Sequence, residues 1–221
     1  MKHPITYLAA VTLALCLAGC ATESSRPVEV QQTHAARTPY TGPRSSIAVG
    51  KFENNTGFMR GIFSDGVDRL GDQAKTVLIS HLQQTNRFIV LDRDNLEMAR
   101  QEAEYRGETM ELIGASYVIT GSVSEFGRKE VSDTQLYGIL GRGKQQIAYS
   151  KVTLNVVDIR TTAVVYTAQG AGEVALSDRE VLGFGTSASY DYTLNGKVLD
   201  LSIREAVDRL ADGIDSGIWR P

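Results

Sequence analysis

Cys20 ends the run Leu17-Ala18-Gly19-Cys20, and it is the residue whose chemistry the chain announces most clearly. A basic start (Lys2, with His3 beside it) precedes an apolar stretch from Ile5 through Leu17. That stretch is too short to stay in a bilayer as a permanent helix, so residues 1–19 read as a signal peptide. An export signal that ends in small residues and then Cys is the pattern of a bacterial lipoprotein. A peptidase would cut before Cys20, its thiol would carry diacylglycerol, and its freed amine would be acylated. Several chains anchor stably because each buried CH₂ adds roughly 0.8 kcal/mol. Ala21, where an Asp would hold the protein back, favours sorting to the outer membrane. The competing reading is a plain secreted protein.

Other reactive side chains are scarce. Cys16 lies in the signal, so with Cys20 lipidated no thiol remains for a disulfide. Of the three histidines, His3 is removed, His34 falls in a linker, and His81 is expected on the solvated side of a helix. A metal site or a histidine-based triad therefore has almost nothing to build on. No cofactor is expected, and enzymatic function is disfavoured. A net charge of −3 with no run of basic residues argues against a nucleic-acid partner. Gly141-Arg142-Gly143-Lys144 has the look of a phosphate loop, but its spacing is wrong and no helix pattern follows, so it reads as a hairpin tip.

The mature chain is long enough for one domain with a real core. Residues 20–45 are polar and broken by Pro27, Pro39 and Pro43, which predicts a flexible tether behind Cys20. The domain then runs over 46–221. Ser46 to Phe52 alternates as a strand, and Phe58 to Gly71 is a glycine-rich loop with apolar side chains. Asp72 is the predicted cap of a helix to about Thr85, with Ala74, Val77, Leu78 and Leu82 inward. Phe88 to Leu91 reads as a buried strand. Asp92 starts a second helix through Tyr105, with Leu96, Ala99 and Ala103 inward. Gly114 to Val123 is the next strand. The succession predicts an α/β fold, a mixed sheet with packed helices.

Beyond Phe126 two long strands meet at Gly138–Gly143, and a second extended pair surrounds Gly183-Phe184-Gly185. Residues 126–159 and 170–196 are thus two candidate β-hairpins. In the second long strand Ile147 and Tyr149 share one face, whereas Val152, Leu154 and Val156 occupy the other. Such a switch signals a bulge or a passage into a different environment. An amphipathic helix from about Leu199, with Ile203, Val207, Leu210 and Ile214 inward, closes the chain before Trp219.

Taken in order, these segments resemble the CsgG/HfaB family, the lipoproteins of curli secretion and holdfast anchoring. The resemblance rests on Asn55-Thr56-Gly57 after the first strand, Arg87 to Arg93, Ala115 to Val123, Leu154 to Thr161, and Asp212 to Trp219. It implies a periplasmic α/β domain whose two hairpins join those of other copies in an oligomeric transmembrane β-barrel. Open sheet edges are forbidden in lipid, so such a barrel demands a homo-oligomeric ring, for which a nonamer is one size. The implied function is a secretion channel for curli-like fibre subunits or other surface proteins, served by periplasmic accessory proteins.

The family's constriction loop carries a Tyr and an Asn that the stretch Phe58 to Val67 lacks, which leaves Phe58, Phe63 and Asp65 as candidate constriction residues. Charges in the hairpins (Asp133, Lys151, Asp178, Arg179, Glu180) must face a lumen or lie near an interface. The last three cannot share a face. The alternative function is a lipid-anchored periplasmic binding module that activates or scaffolds an envelope-assembly partner without forming a pore.

Overall fold

The computed structural model describes residues 25, 27, 30–58, 66–134, 142–179 and 193–220. Cys20 and the signal peptide lie outside these residues, as do Phe63 and Asp65. The folded body begins at Gln32. It contains strands β1 (Ser45–Asn54), β2 (Phe88–Leu91), β3 (Tyr117–Thr134), β4 (Arg142–Asp158) and β5 (Val164–Arg179). Its helices are α1 (Arg69–Gln84), α2 (Leu96–Tyr105) and α3 (Thr193–Asp215). The strands form one mixed sheet in the order β2-β1-β3-β4-β5, with β1 parallel to β2 and β3, and β3-β4-β5 antiparallel. The α/β expectation holds.

Helices α1 and α3 share one side of the sheet and pack against each other there. The core between the layers draws Ile47, Val49 and Phe52 from β1, Ala74, Leu78 and Leu82 from α1, and Ile203, Val207 and Leu210 from α3. Every predicted inward residue of α3 is buried. At Gly170 a Cβ would run into the Ser202 carbonyl and the Ala206 amide, so α3 lies directly on β5. Gly217, with φ of +71°, ends the last helix: Gly217 N donates to Ile214 O and Ile218 N to Gly213 O, the paired bonds of a Schellman stop. The chain then turns so that Trp219 meets Phe88, Tyr117 and Tyr166 at centroid distances of 6.3, 5.8 and 5.9 Å.

Several expectations are corrected. Asp68, not Asp72, caps α1: its carboxylate accepts Gly71 N at 2.9 Å and Asn54 N at 2.7 Å, tying the helix start to the end of β1. His81 is buried rather than solvated. At 100° per residue it falls between Val77 and Ala74, on the inner face, where Nε2 meets Asp200 Oδ1 of α3 at 2.8 Å. The strand Phe88–Leu91 is an edge strand, in which Phe88 is buried and Ile89 exposed. Asp92 builds a turn ahead of α2 by accepting Asp94 N and Asn95 N, and α2 buries none of its side chains, Ala99 included. The closing helix starts at Thr193, so the predicted return arm of the second hairpin does not extend through Leu194.

The second half of the predicted tether is folded. His34 N and Ala35 N donate to the Asp208 carboxylate at 3.0 and 2.9 Å, and a 3₁₀ turn follows at Ala35–Arg37. Arg87 fixes this strap from beneath. It donates to Ala35 O and Thr38 Oγ1, stacks under Tyr40 at 5.0 Å, and forms a two-point ion pair with Asp215.

Candidate functional site

The first predicted hairpin and Phe58 lie at one end of the sheet, whereas Cys20, Phe63, Asp65 and the tip of the second predicted hairpin lie outside the described residues. At the rung Asn54↔Val123, β1 stops while β3 continues. From there β3, β4 and β5 run on as a ladder through Phe126↔Ser150↔Gly172 to Asp133↔Gly143↔Arg179. The first hairpin's two arms are therefore paired along their whole described length, ending at Thr134↔Arg142, and β5 extends with them.

The parity switch in β4 has a different origin from the one expected. Ala148, Ser150, Val152, Leu154 and Val156 all face the helices and are buried, so the strand keeps one parity. The extra residue is in β3, between Val123 and Glu125. The apolar pattern breaks because α3 comes close enough to require small side chains; Ser202 Oγ donates to Ser150 Oγ at 2.9 Å. Ile147 is buried on the opposite face.

That opposite face is polar near the stems. Lys151 pairs with Glu125 at 3.6 Å and Lys129 with Glu173 at 3.5 Å. Glu125 and Lys151 are direct cross-strand partners, whereas the Lys129–Glu173 pair reaches across β4; both are solvent-exposed and worth a few tenths of a kcal/mol. Lys151 lies beside Ala171, one residue from the rung that carries Gly172 and the α3 contact, and so belongs to the globular part of the sheet. Farther out the backbone rungs run Ser132↔Lys144↔Asp178 and Asp133↔Gly143↔Arg179. Glu180 lies outside the described residues.

The loop that carries the candidate constriction leaves from this same end. Its root is rigid: Thr56 N and Oγ1 donate to Asn54 Oδ1 at 2.9 and 2.6 Å, Phe58 N donates to Thr56 Oγ1 at 3.1 Å, and Asn54 Nδ2 donates to Phe58 O at 2.8 Å. Asp68 holds the other side of the loop to Asn54. The Phe58 ring sits edge-on to Phe126, with centroids 4.6 Å apart, so it packs on the base of the first hairpin. The structure brings Phe58 and the hairpin together. Sequence reading missed Asn54, Thr56 and Asp68 as the residues that frame the loop; the signals were Asn-x-Thr after a strand and Asp-x-x-Gly before a helix.

Among the described residues no helix is long and apolar enough to cross a membrane, and no cluster of His, Cys, Asp and Glu could hold a metal. The first of these facts leaves β-strand crossing open.

Comparison with known proteins supplies the frame for this arrangement. A candidate lipoprotein of Neisseria meningitidis serogroup B is 57% identical over 221 residues, which is 100% of this chain and 99% of the relative. Among solved structures, the PelC dodecamer of Paraburkholderia phytofirmans is 16% identical over 82% of this chain and 94% of its own, with a TM-score of 0.39. Lipoprotein GNA1162 of Neisseria meningitidis is 14% identical over 78% and 99%, with a TM-score of 0.33. The profile of the family described as curli production assembly/transport component CsgG matches residues 27–221. This chain belongs to the CsgG family.

Proposed function

We propose that this protein is an outer-membrane lipoprotein, anchored through Cys20, whose folded domain lies in the periplasm and whose copies assemble into a ring-shaped secretion channel. The exported material is unfolded fibre subunits or other surface proteins, delivered with the help of periplasmic accessory proteins. The observation that carries this reading is the continuous β3-β4-β5 ladder that runs past the end of β1, with the constriction-loop root at its base. A single copy leaves sheet edges that lipid does not tolerate, so the hairpins require neighbours. In this reading Phe63 and Asp65 narrow the passage, and Phe58 anchors their loop to Phe126.

The second reading is a tethered binding module without a pore. It is favoured by the exposed Lys129–Glu173 pair, which makes the stem base a solvated surface. Electron microscopy of the lipidated protein in mild detergent separates the two. Closed rings with a detergent belt support the channel, and compact particles without a belt support the module.

A further inference from the structure

Two surfaces on opposite edges of the sheet fit each other. Beside the edge strand β2 lies an open groove of about 330 Å³. Its floor is apolar, with Ile79 from α1 and Val90 and Leu91 from β2, and its rim carries Asp92 and Asp94. Lys75 pairs with Asp94, so the rim keeps a net negative charge. At the far edge, the turn between β4 and β5 presents Ile159 at 49% exposure followed by exposed Arg160. That turn is rigid: Asp158 Oδ1 accepts Arg160 N at 2.8 Å and Thr161 N at 3.1 Å, and Thr162 adopts a φ of 58°. It offers an apolar side chain and a cation to a groove with an apolar floor and an acidic rim.

The register adds a geometric argument. Val90 pairs with Ile47, Ile47 with Tyr117, and Tyr117 with Asp158. The groove floor and the root of the turn therefore lie on one rung of the sheet. A rotation about an axis along the strands brings the turn of one copy to the groove of the next at the same height. A contact between two different patches builds a closed ring when such a rotation involves no rise, and a filament when it does.

We propose that the Ile159–Arg160 turn of one copy seats in the α1/β2 groove of its neighbour, making the head-to-tail contact of the ring. This inference rests on the ring assembly proposed above and assigns its contact surface.

The test uses the full lipidated chain in mild detergent. Thr76 also lines the groove, and with Cys20 acylated, Thr76→Cys and Ile159→Cys introduce the only free thiols. Oxidation of each variant alone should give no dimer, a mixture of the two should give dimer, and the double variant should give a ladder. Arg160→Glu should weaken assembly by about tenfold or more, since like charges would then face each other across the contact, whereas Arg160→Lys should retain it. Dimers from either single variant alone would overturn the head-to-tail seat. Rings in native mass spectrometry that give no mixed cross-link and persist in Arg160→Glu would overturn the seat and leave the ring standing. Monomers throughout would overturn both.

Discussion

Arg87 shows how much one side chain organises. It is 1% exposed, and it joins the strap, the turn before β2 and the end of α3 through Ala35 O, Thr85 O, Thr38 Oγ1 and Asp215. A guanidinium suits this place because its fork supplies several fixed donors at once, which an ammonium cannot match. Arg87→Met should therefore destabilise the fold by about 3 kcal/mol, the lower end of the range for breaking a buried pair, because Asp215 is partly exposed and can rehydrate. Arg87→Lys should recover only a minority of that loss; urea unfolding of both variants checks the order. Asp158 gives a pH prediction. The Arg160 and Thr161 amides on its carboxylate hold it below the ordinary carboxylate range. A folded-state value below the unfolded one stabilises the fold fully above about pH 4 and loses that contribution as pH falls through the folded value. Asp158→Asn should then narrow the difference in urea midpoint between neutral and acidic pH, and an unchanged difference would count against the turn as drawn.

At the scale of elements, close approach between α3 and β5 is the feature most exposed to a single change. Gly170→Val would put a branched side chain where the Ser202 carbonyl and Ala206 amide already stand, both backbone groups that cannot swing aside. Overpacking of this kind costs about 1–3 kcal/mol, and here α3 must lift from the sheet. The variant should melt at lower temperature and expose α3 to proteolysis, whereas Gln169→Val, on the solvated face of the same strand, should be nearly silent. The two packed helices and the order of the strands were legible from their apolar patterns, although β5 begins at Val164, ahead of the predicted second hairpin. Three things were not. His81 falls among the inward residues of α1, not on the opposite side of the helix, and nothing in the local sequence announces the partner it finds in Asp200 across the helix pair. Helix α2 looked amphipathic, yet none of its side chains is buried: among the described residues only the segment Glu108–Leu112 lies against it, across an open groove. Asp68 was passed over in favour of Asp72 because the residues before Gly71 carry no periodic signal.

For the whole molecule, the decisive boundary lies between the strap and the segment that leads to Cys20. Composition alone placed the start of the domain at residue 46, since Pro, Gln and Thr predict a chain that cannot bury its own surface. Thr33 to Arg44 escapes that rule by borrowing partners: it meets Asp208 on α3, Arg87 beneath it, and the Phe88 carbonyl through Arg44 at 2.9 Å. Ala35 is buried in the process. The loop root, Phe58 and the paired hairpin arms could be anticipated as neighbours only through the family resemblance, because their meeting point depends on where β1 stops along β3. The strap makes the boundary testable by truncation. A chain beginning at Gln32 should unfold at the same urea concentration as the longer mature chain. One beginning at Ser45 should lose about 2–4 kcal/mol, since it gives up two hydrogen bonds to a carboxylate and two from a buried guanidinium. Asp208→Ala in the longer chain should reproduce part of that loss and speed tryptic cleavage after Arg37. Equal stability of the two truncations would mean that the strap adds nothing to the fold, and that the predicted boundary at residue 46 stands.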